Sequence, residues 1–257
     1  KDKLGNRSNA SSEIELHGAW ARMVGEEGRG VPTIIEMVNH TRLDCTLGAA
    51  AGMRFGTAQA IHHCQGRAAF GKLLVDQPLM RNVLADLAVE SEAATVAAMR
   101  LARAYDEAAA GDEQAQALRR LATSVLKYWT CKRAPMHAAE ALECLGGNGY
   151  VEESHMPRLF RESPLNGIWE GSGNVQCLDV LRGMARNPES LEAFLAEVDQ
   201  GRGADARLDA AAAALRKELA DPDGLEARAR RLVERMALVL QGSLLARFGD
   251  EAVADAF

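Results

Sequence analysis

Proline is scarce in this chain, seven among 257 residues, so long helices can run with few interruptions. Aromatic residues are few as well, 5%, and none interleave with basic ones in the manner of a single-strand stacking surface. No apolar run approaches the roughly 20 residues that cross a bilayer, so no membrane partner is expected. The opening KDKLGNRSNASSEIE has no apolar segment and reads as no secretory signal. Cys45, Cys64, Cys131, Cys144 and Cys177 are odd in number and widely spread, with no C-x-x-C and no Cys/His pair at zinc spacing. Reduced thiols and a cytoplasmic setting are the expectation. His62-His63-Cys64 are adjacent, but successive helical positions face different ways, so the trio reads as ordinary structure and no metal is expected. The formal net charge of −6 argues against wholesale polyanion binding while leaving room for a local basic patch.

What is present is a helix-forming composition, 47% hydrophobic and 26% charged and rich in Ala and Leu, long enough to bury a sizeable core. Ser11 to Trp20 is the exception. Ile14 and Leu16 alternate there with Glu13, Glu15 and His17, a strand pattern closed by the turn-rich Gly25–Gly30. A lone strand is unstable in water, and the chain does not open on Met. Residues 1–30 therefore read as the end of a truncated middle β-domain. From Pro32 the period turns helical, with helices expected over 32–65, 78–110, 114–145 and 171–186. The third should bend near Pro135 and stop at GGNGY, and Gly48 and Gly52 should let backbone approach the first closely. The implied fold is mainly α, an antiparallel four-helix bundle over 31–186. Two more helices, 203–220 and 224–248, form a helical extension over 187–257.

The stretch IWEGSGNVQ poses a chemical question. Glu170 follows Ile168 and Trp169 and precedes Gly171-Ser172-Gly173-Asn174, residues too small to shield a carboxylate. A surface Glu needs no such setting, and a core-facing one is costly. Partial desolvation makes a carboxylate a stronger base, so Glu170 is a candidate proton acceptor.

Three stretches stand together: RAAFGKLLVDQPLM (67–80), LECLGGNGYVEESHMPRLFRE (142–162) and IWEGSGNVQCLDVLR (168–182). They resemble the C-terminal half of the acyl-CoA dehydrogenase family, from about Gly5 to Met184. The run EESHMPRLFRESPLNGIWEGSGNVQCLDVLR is most similar to the family's AidB branch, flavoproteins of the adaptive response to alkylation. The resemblance implies an FAD-dependent oxidoreductase acting on an acyl-CoA thioester. Glu170 would remove the α-proton while the β-hydrogen leaves as hydride to flavin N5. Arg67 would hold the flavin pyrophosphate of a neighbouring subunit while Phe70 packs on its ring system. Gly71, Gln77, Gly146, Gly147, Ser172 and Asn174 would also contact the cofactor, and Glu143 stands where most members carry Gln. Asn39, Arg42, Trp169 and Gly171 would line the substrate side. Thr41 sits where one subgroup places its catalytic Glu, and a Thr cannot take an α-proton. The parent is expected to be a dimer of dimers. The fragment alone is expected to be inactive and to hold FAD weakly or not at all.

The resemblance also raises an alternative, a flavoprotein that binds double-stranded DNA and turns over little thioester. Residues 202–247 hold nine Arg and Lys against seven Asp and Glu. Arg228, Arg231 and Arg235 lie at i, i+3 and i+7, one helix face, and Arg182 is a further candidate. The plainer reading of that face is solvation. A third alternative is a role in assembly alone.

Overall fold

The structure, a computed structural model, describes residues 1–257. Its helices are α1 (Gly30–Gly66), α2 (Pro78–Ala109), α3 (Glu113–Cys144), α4 (Gly147–Tyr150), α5 (Met156–Glu162), α6 (Gly173–Arg186), α7 (Pro188–Asp199), α8 (Ala206–Leu219), α9 (Leu225–Phe248) and α10 (Glu251–Ala256). The only sheet is a two-residue hairpin, β1 (Ala68–Ala69) and β2 (Lys72–Leu73), between α1 and α2. Pro78 starts α2, where its missing N–H costs nothing. A three-residue turn with Gly111 at φ 97° reverses the chain into α3, whose first turn Asp112 caps through the Ala115 amide. Pro135 lies inside α3 without ending it.

Helices α1, α2 and α3 pack on one another and α6 lies on α3, the expected bundle. The inner face of α2 reads Leu84, Leu87, Ser91, Ala94, Ala98, Leu101 and Tyr105, spaced for one side of a helix. Small residues let the axes come close. A methyl at Gly56 would meet the Ala141 Cβ at 3.2 Å, while Gly48 and Gly52 sit at ordinary contact distance from Asn166 and Leu159.

One expectation needs correction. Ser11–Trp20 forms no strand. It is irregular and exposed, with Trp20 89% accessible, because no neighbouring backbone in this chain offers it a ladder. The helical extension shares the bundle's core. Helix α7, absent from the sequence reading, packs on α3 and α6, and one continuous core runs from Leu101, Leu121 and Val180 through Phe194 to Leu232, Met236 and Leu244. A buried ion network reinforces that seam. Glu197, 3% exposed, accepts from Arg100 of α2 at 2.8 Å and Arg247 of α9 at 2.7 Å. Burial alone would push its carboxyl up, but the two guanidiniums outweigh burial and hold it below the ordinary glutamate value.

Candidate active site

The loop between α5 and α6 carries Glu170, and the chain leaves little freedom there. A single 3-10 turn, Leu165–Gly167, feeds it, and the Trp169 amide donates to the Leu165 carbonyl. Glu170 then adopts φ 57° and Gly171 φ 97°. Glycine enters that region freely, whereas a residue with a Cβ loses roughly 1–2 kcal/mol there. Something must hold Glu170 against that cost.

Three side chains do so from behind the loop. Lys127 of α3, only 1% exposed, donates to the carbonyls of Trp169 and Gly171, both at 2.6 Å. Arg42 of α1 donates through Nε to the Glu170 carbonyl at 3.0 Å. Gln176 of α6 donates through Nε2 to the carbonyls of Glu170 and Gly171, each at 3.0 Å. Three consecutive carbonyls thus face inward onto three donors, and every hydrogen bond recorded at Glu170 goes to its backbone. The donors are themselves fixed. Arg42 Nη1 pairs with Asp179 at 3.0 Å, and Ser124 Oγ donates to the same carboxylate at 3.0 Å. Burial pulls the Lys127 ammonium below its ordinary value. Trp169, half-exposed, donates its indole N–H to Asn166.

Other expected residues near this end fall into place by element. Ser172 is the last residue before α6 and Asn174 lies in its first turn, both exposed. The Asn39 carbonyl accepts from the Tyr105 hydroxyl at 2.9 Å, and His40 packs edge-on against the same ring. Burial raises the thiols of all five cysteines, Cys131 and Cys144 to about 12 and Cys177 to about 11, so they are protonated.

A second cluster forms at the far end of α1. Arg67 ends that helix, and Phe70 (φ 54°) and Gly71 (φ 80°) make the two-residue turn of the hairpin. Positive φ at both central positions is the turn geometry that matches strand twist. It holds the Phe70 ring out, 98% exposed. Gln77 donates to the Ala69 carbonyl at 3.1 Å, so its amide braces the hairpin. Arg67, Glu143, Gly146 and Gly147 line one cavity of about 310 Å³. No protein atom lies within 4 Å of where a Cβ would stand on either glycine. Gly146 takes φ 57°, ψ −138°, a glycine conformation that breaks α3.

The structure thus divides the expected cofactor residues between two places. Arg42 and Arg67 sit at the two, separated along α1 by about 37 Å at 1.5 Å per residue.

The comparisons bear directly on these two places. The family described as Acyl-CoA dehydrogenase, C-terminal domain, matches residues 28–185, which include every residue of both clusters. The chain belongs to the acyl-CoA dehydrogenase family. Among its relatives, putative acyl-CoA dehydrogenase AidB of Escherichia coli is 42% identical over the whole chain, which covers 47% of that protein. Acyl-CoA dehydrogenase family member 11 of Caenorhabditis elegans is 36% identical over 78% of the chain and 33% of its own length. The chain therefore spans half or less of the curated relatives it matches. The crystal structure of Caenorhabditis elegans ACDH-11 in complex with C11-CoA superposes with a TM-score of 0.88 at 29% identity, over 98% of this chain and 46% of that one. An acyl-CoA dehydrogenase from Geobacillus kaustophilus covers only 63% of the chain, with a TM-score of 0.55 and 26% identity.

The arginines considered for a duplex make contacts within the chain. Arg228 is turned inward, donating to the carbonyls of Glu218, Asp221 and Asp223. Arg228, Arg231 and Arg235 all pair with Glu218, itself 7% exposed. They tie α9 to α8, with Arg231 and Arg235 still largely exposed. Arg182 stays half-exposed beside Asp179, 3.8 Å away. The residues that sequence reasoning missed are Lys127, Gln176 and Asp179. For Lys127 a signal was present, since Ser124, Lys127 and Thr130 fall at helical spacing within a largely buried helix.

Proposed function

We propose that the full-length parent of this chain is an FAD-dependent acyl-CoA dehydrogenase in which Glu170 is the base that takes the α-proton of an acyl-CoA thioester. The observation that carries this reading is the loop itself. A glutamate is kept at φ 57° with its backbone bonded on the inner side, so its carboxylate is left for a ligand. Thr41, whose hydroxyl donates to the Val38 carbonyl, has no basic atom to replace it. ACDH-11, bound to C11-CoA and superposable over 98% of the chain, supports a thioester ligand for the same fold.

The second cluster fits a dinucleotide. A bidentate guanidinium suits a diphosphate, the open backbone at Gly146 and Gly147 leaves room for a flat adenosine, and the displayed Phe70 ring offers an apolar face. When bound, FAD supplies the acceptor for the β-hydride. The α C–H bond breaks as Glu170 takes its proton, and the electron pair left behind forms the α,β double bond. Because the two clusters lie about 37 Å apart on one helix, Arg67 and Phe70 of one subunit serve the flavin beside Glu170 of another. The parent is accordingly an oligomer.

The test is anaerobic addition of acyl-CoAs of graded chain length to the full-length parent and to its Glu170→Gln variant. Both should carry flavin, and only the parent should bleach at the flavin band. A Gln variant bleaching at the native rate would rule out the base assignment.

A further inference from the structure

We infer that Lys127 is a positioning residue: its buried ammonium, bridging the Trp169 and Gly171 carbonyls, fixes the loop in the geometry that presents Glu170. The proposal deepens the reading above and rests on it for its kinetic consequence. Lys127 is 1% exposed, and a fully buried lysine is rarely retained without a specific partner. Here no carboxylate within hydrogen-bond reach balances it, and its recorded partners are two carbonyls at 2.6 Å, one on either side of Glu170. The two carbonyls belong to residues i and i+2, so a single donor group spanning both fixes the turn of the residue between them. That residue is the non-glycine one at φ 57°. Arg42 and Gln176 hold the middle carbonyl and duplicate one outer contact, but neither bonds the Trp169 carbonyl. Removing Lys127 therefore frees the entry to the turn while leaving its exit held. Lys127 touches no reacting atom in this account. It acts through the backbone of Glu170.

Lys127→Met keeps the stem and deletes the donors. Two measurements decide. Hydrogen exchange of amides 168–173 should quicken at least tenfold in the variant, while α7 to α9 exchange as before. In the flavin-loaded parent, the rate of thioester-driven bleaching at saturation should drop on the order of 100-fold, the scale of an ångström-sized misplacement, with the half-saturating thioester concentration within about threefold. A merely structural lysine would change exchange throughout the bundle and move both kinetic constants together. Unchanged exchange at 168–173 overturns the proposal, and so does a loosened loop that bleaches at the native rate. If Lys127→Met fails to fold, Lys127→Gln retains one amide donor and should show the same local loosening at smaller size. A wild-type parent that no thioester bleaches would remove the base assignment, and the exchange result alone would then decide whether Lys127 holds the loop.

Discussion

Two dipeptides in this molecule share one backbone and differ in everything around it. Glu170-Gly171 and Phe70-Gly71 both place a non-glycine residue at φ between 54° and 57°, followed by a glycine at positive φ. At Glu170 the strain is held by five side-chain hydrogen bonds from α1, α3 and α6, two of them from a buried ammonium. At Phe70 it is held by a two-residue ladder and the amide of Gln77, and the side chain meets only solvent. The first turn is complete within the chain. In the proposed function the second is completed by another subunit's flavin. The same local strain would then mark a finished half of a site in one place and an open half in the other.

The sharpest way to break this comparison is to perturb regions of different commitment and rank the losses. The seam at Glu197 sets the upper end. Glu197→Ala leaves Arg100 and Arg247 without their shared buried carboxylate and should cost about 3–5 kcal/mol in denaturant unfolding. Its folded carboxyl lies below the unfolded value, so the stabilisation is present above about pH 4.5 and is lost as pH falls through the folded pKa. The variant's stability should consequently fall less between pH 5 and 3 than the parent's. Gly171→Ala comes next. Its new methyl meets the Gln176 amide nitrogen at 2.7 Å, in a left-handed conformation besides. A loss of about 3 kcal/mol is expected from strain and overpacking together. Arg67→Ala should leave unfolding within about 0.5 kcal/mol yet lower the flavin-to-protein ratio of the parent about tenfold at limiting flavin. The reverse pattern would show that hairpin residues serve folding. Smallest is Gly71→Ala, whose methyl points into open space, so only the backbone cost of about 1 kcal/mol remains. If Gly71→Ala cost as much as Gly171→Ala, the two turns would be equally committed and the contrast would dissolve.

The helices were legible because their inner faces repeat cleanly. The second, third and last long helices fall within a residue of expectation at every end, while the starts of α1, α6 and α8 move by two or three residues, to Gly30, Gly173 and Ala206. Helix α7 was not legible. Its PESLEAFLAEVD is short, and its burial of Ala193, Phe194 and Val198 depends on a groove that only the assembled α3, α6 and α9 provide. The strand at Ser11–Trp20 was over-read, since alternation shows what a ladder could bury and says nothing about whether a partner backbone is present. At the site, the family resemblance marked the glutamate, the glycines and the arginine as candidates. It could not show that Arg42 spends its guanidinium on a carbonyl and on Asp179, because that depends on a residue 137 positions away. Nor could it show that Arg228 is half-buried against α8, since a helix face in sequence does not reveal the helix lying across it.

Helix α1 carries one more consequence for the proposed parent. Because it is a continuous helix carrying one half-site near each end, flavin retention in the proposed arrangement obeys mass action in protein as well as in flavin. Dilution separates the subunits and opens each pocket at its Arg67 side, so cofactor loss should be steeper than first order in protein concentration. Excess free flavin would restore it only where enough subunits remain to meet. For such a molecule the spectrum of the bound cofactor doubles as a gauge of association, read without any probe.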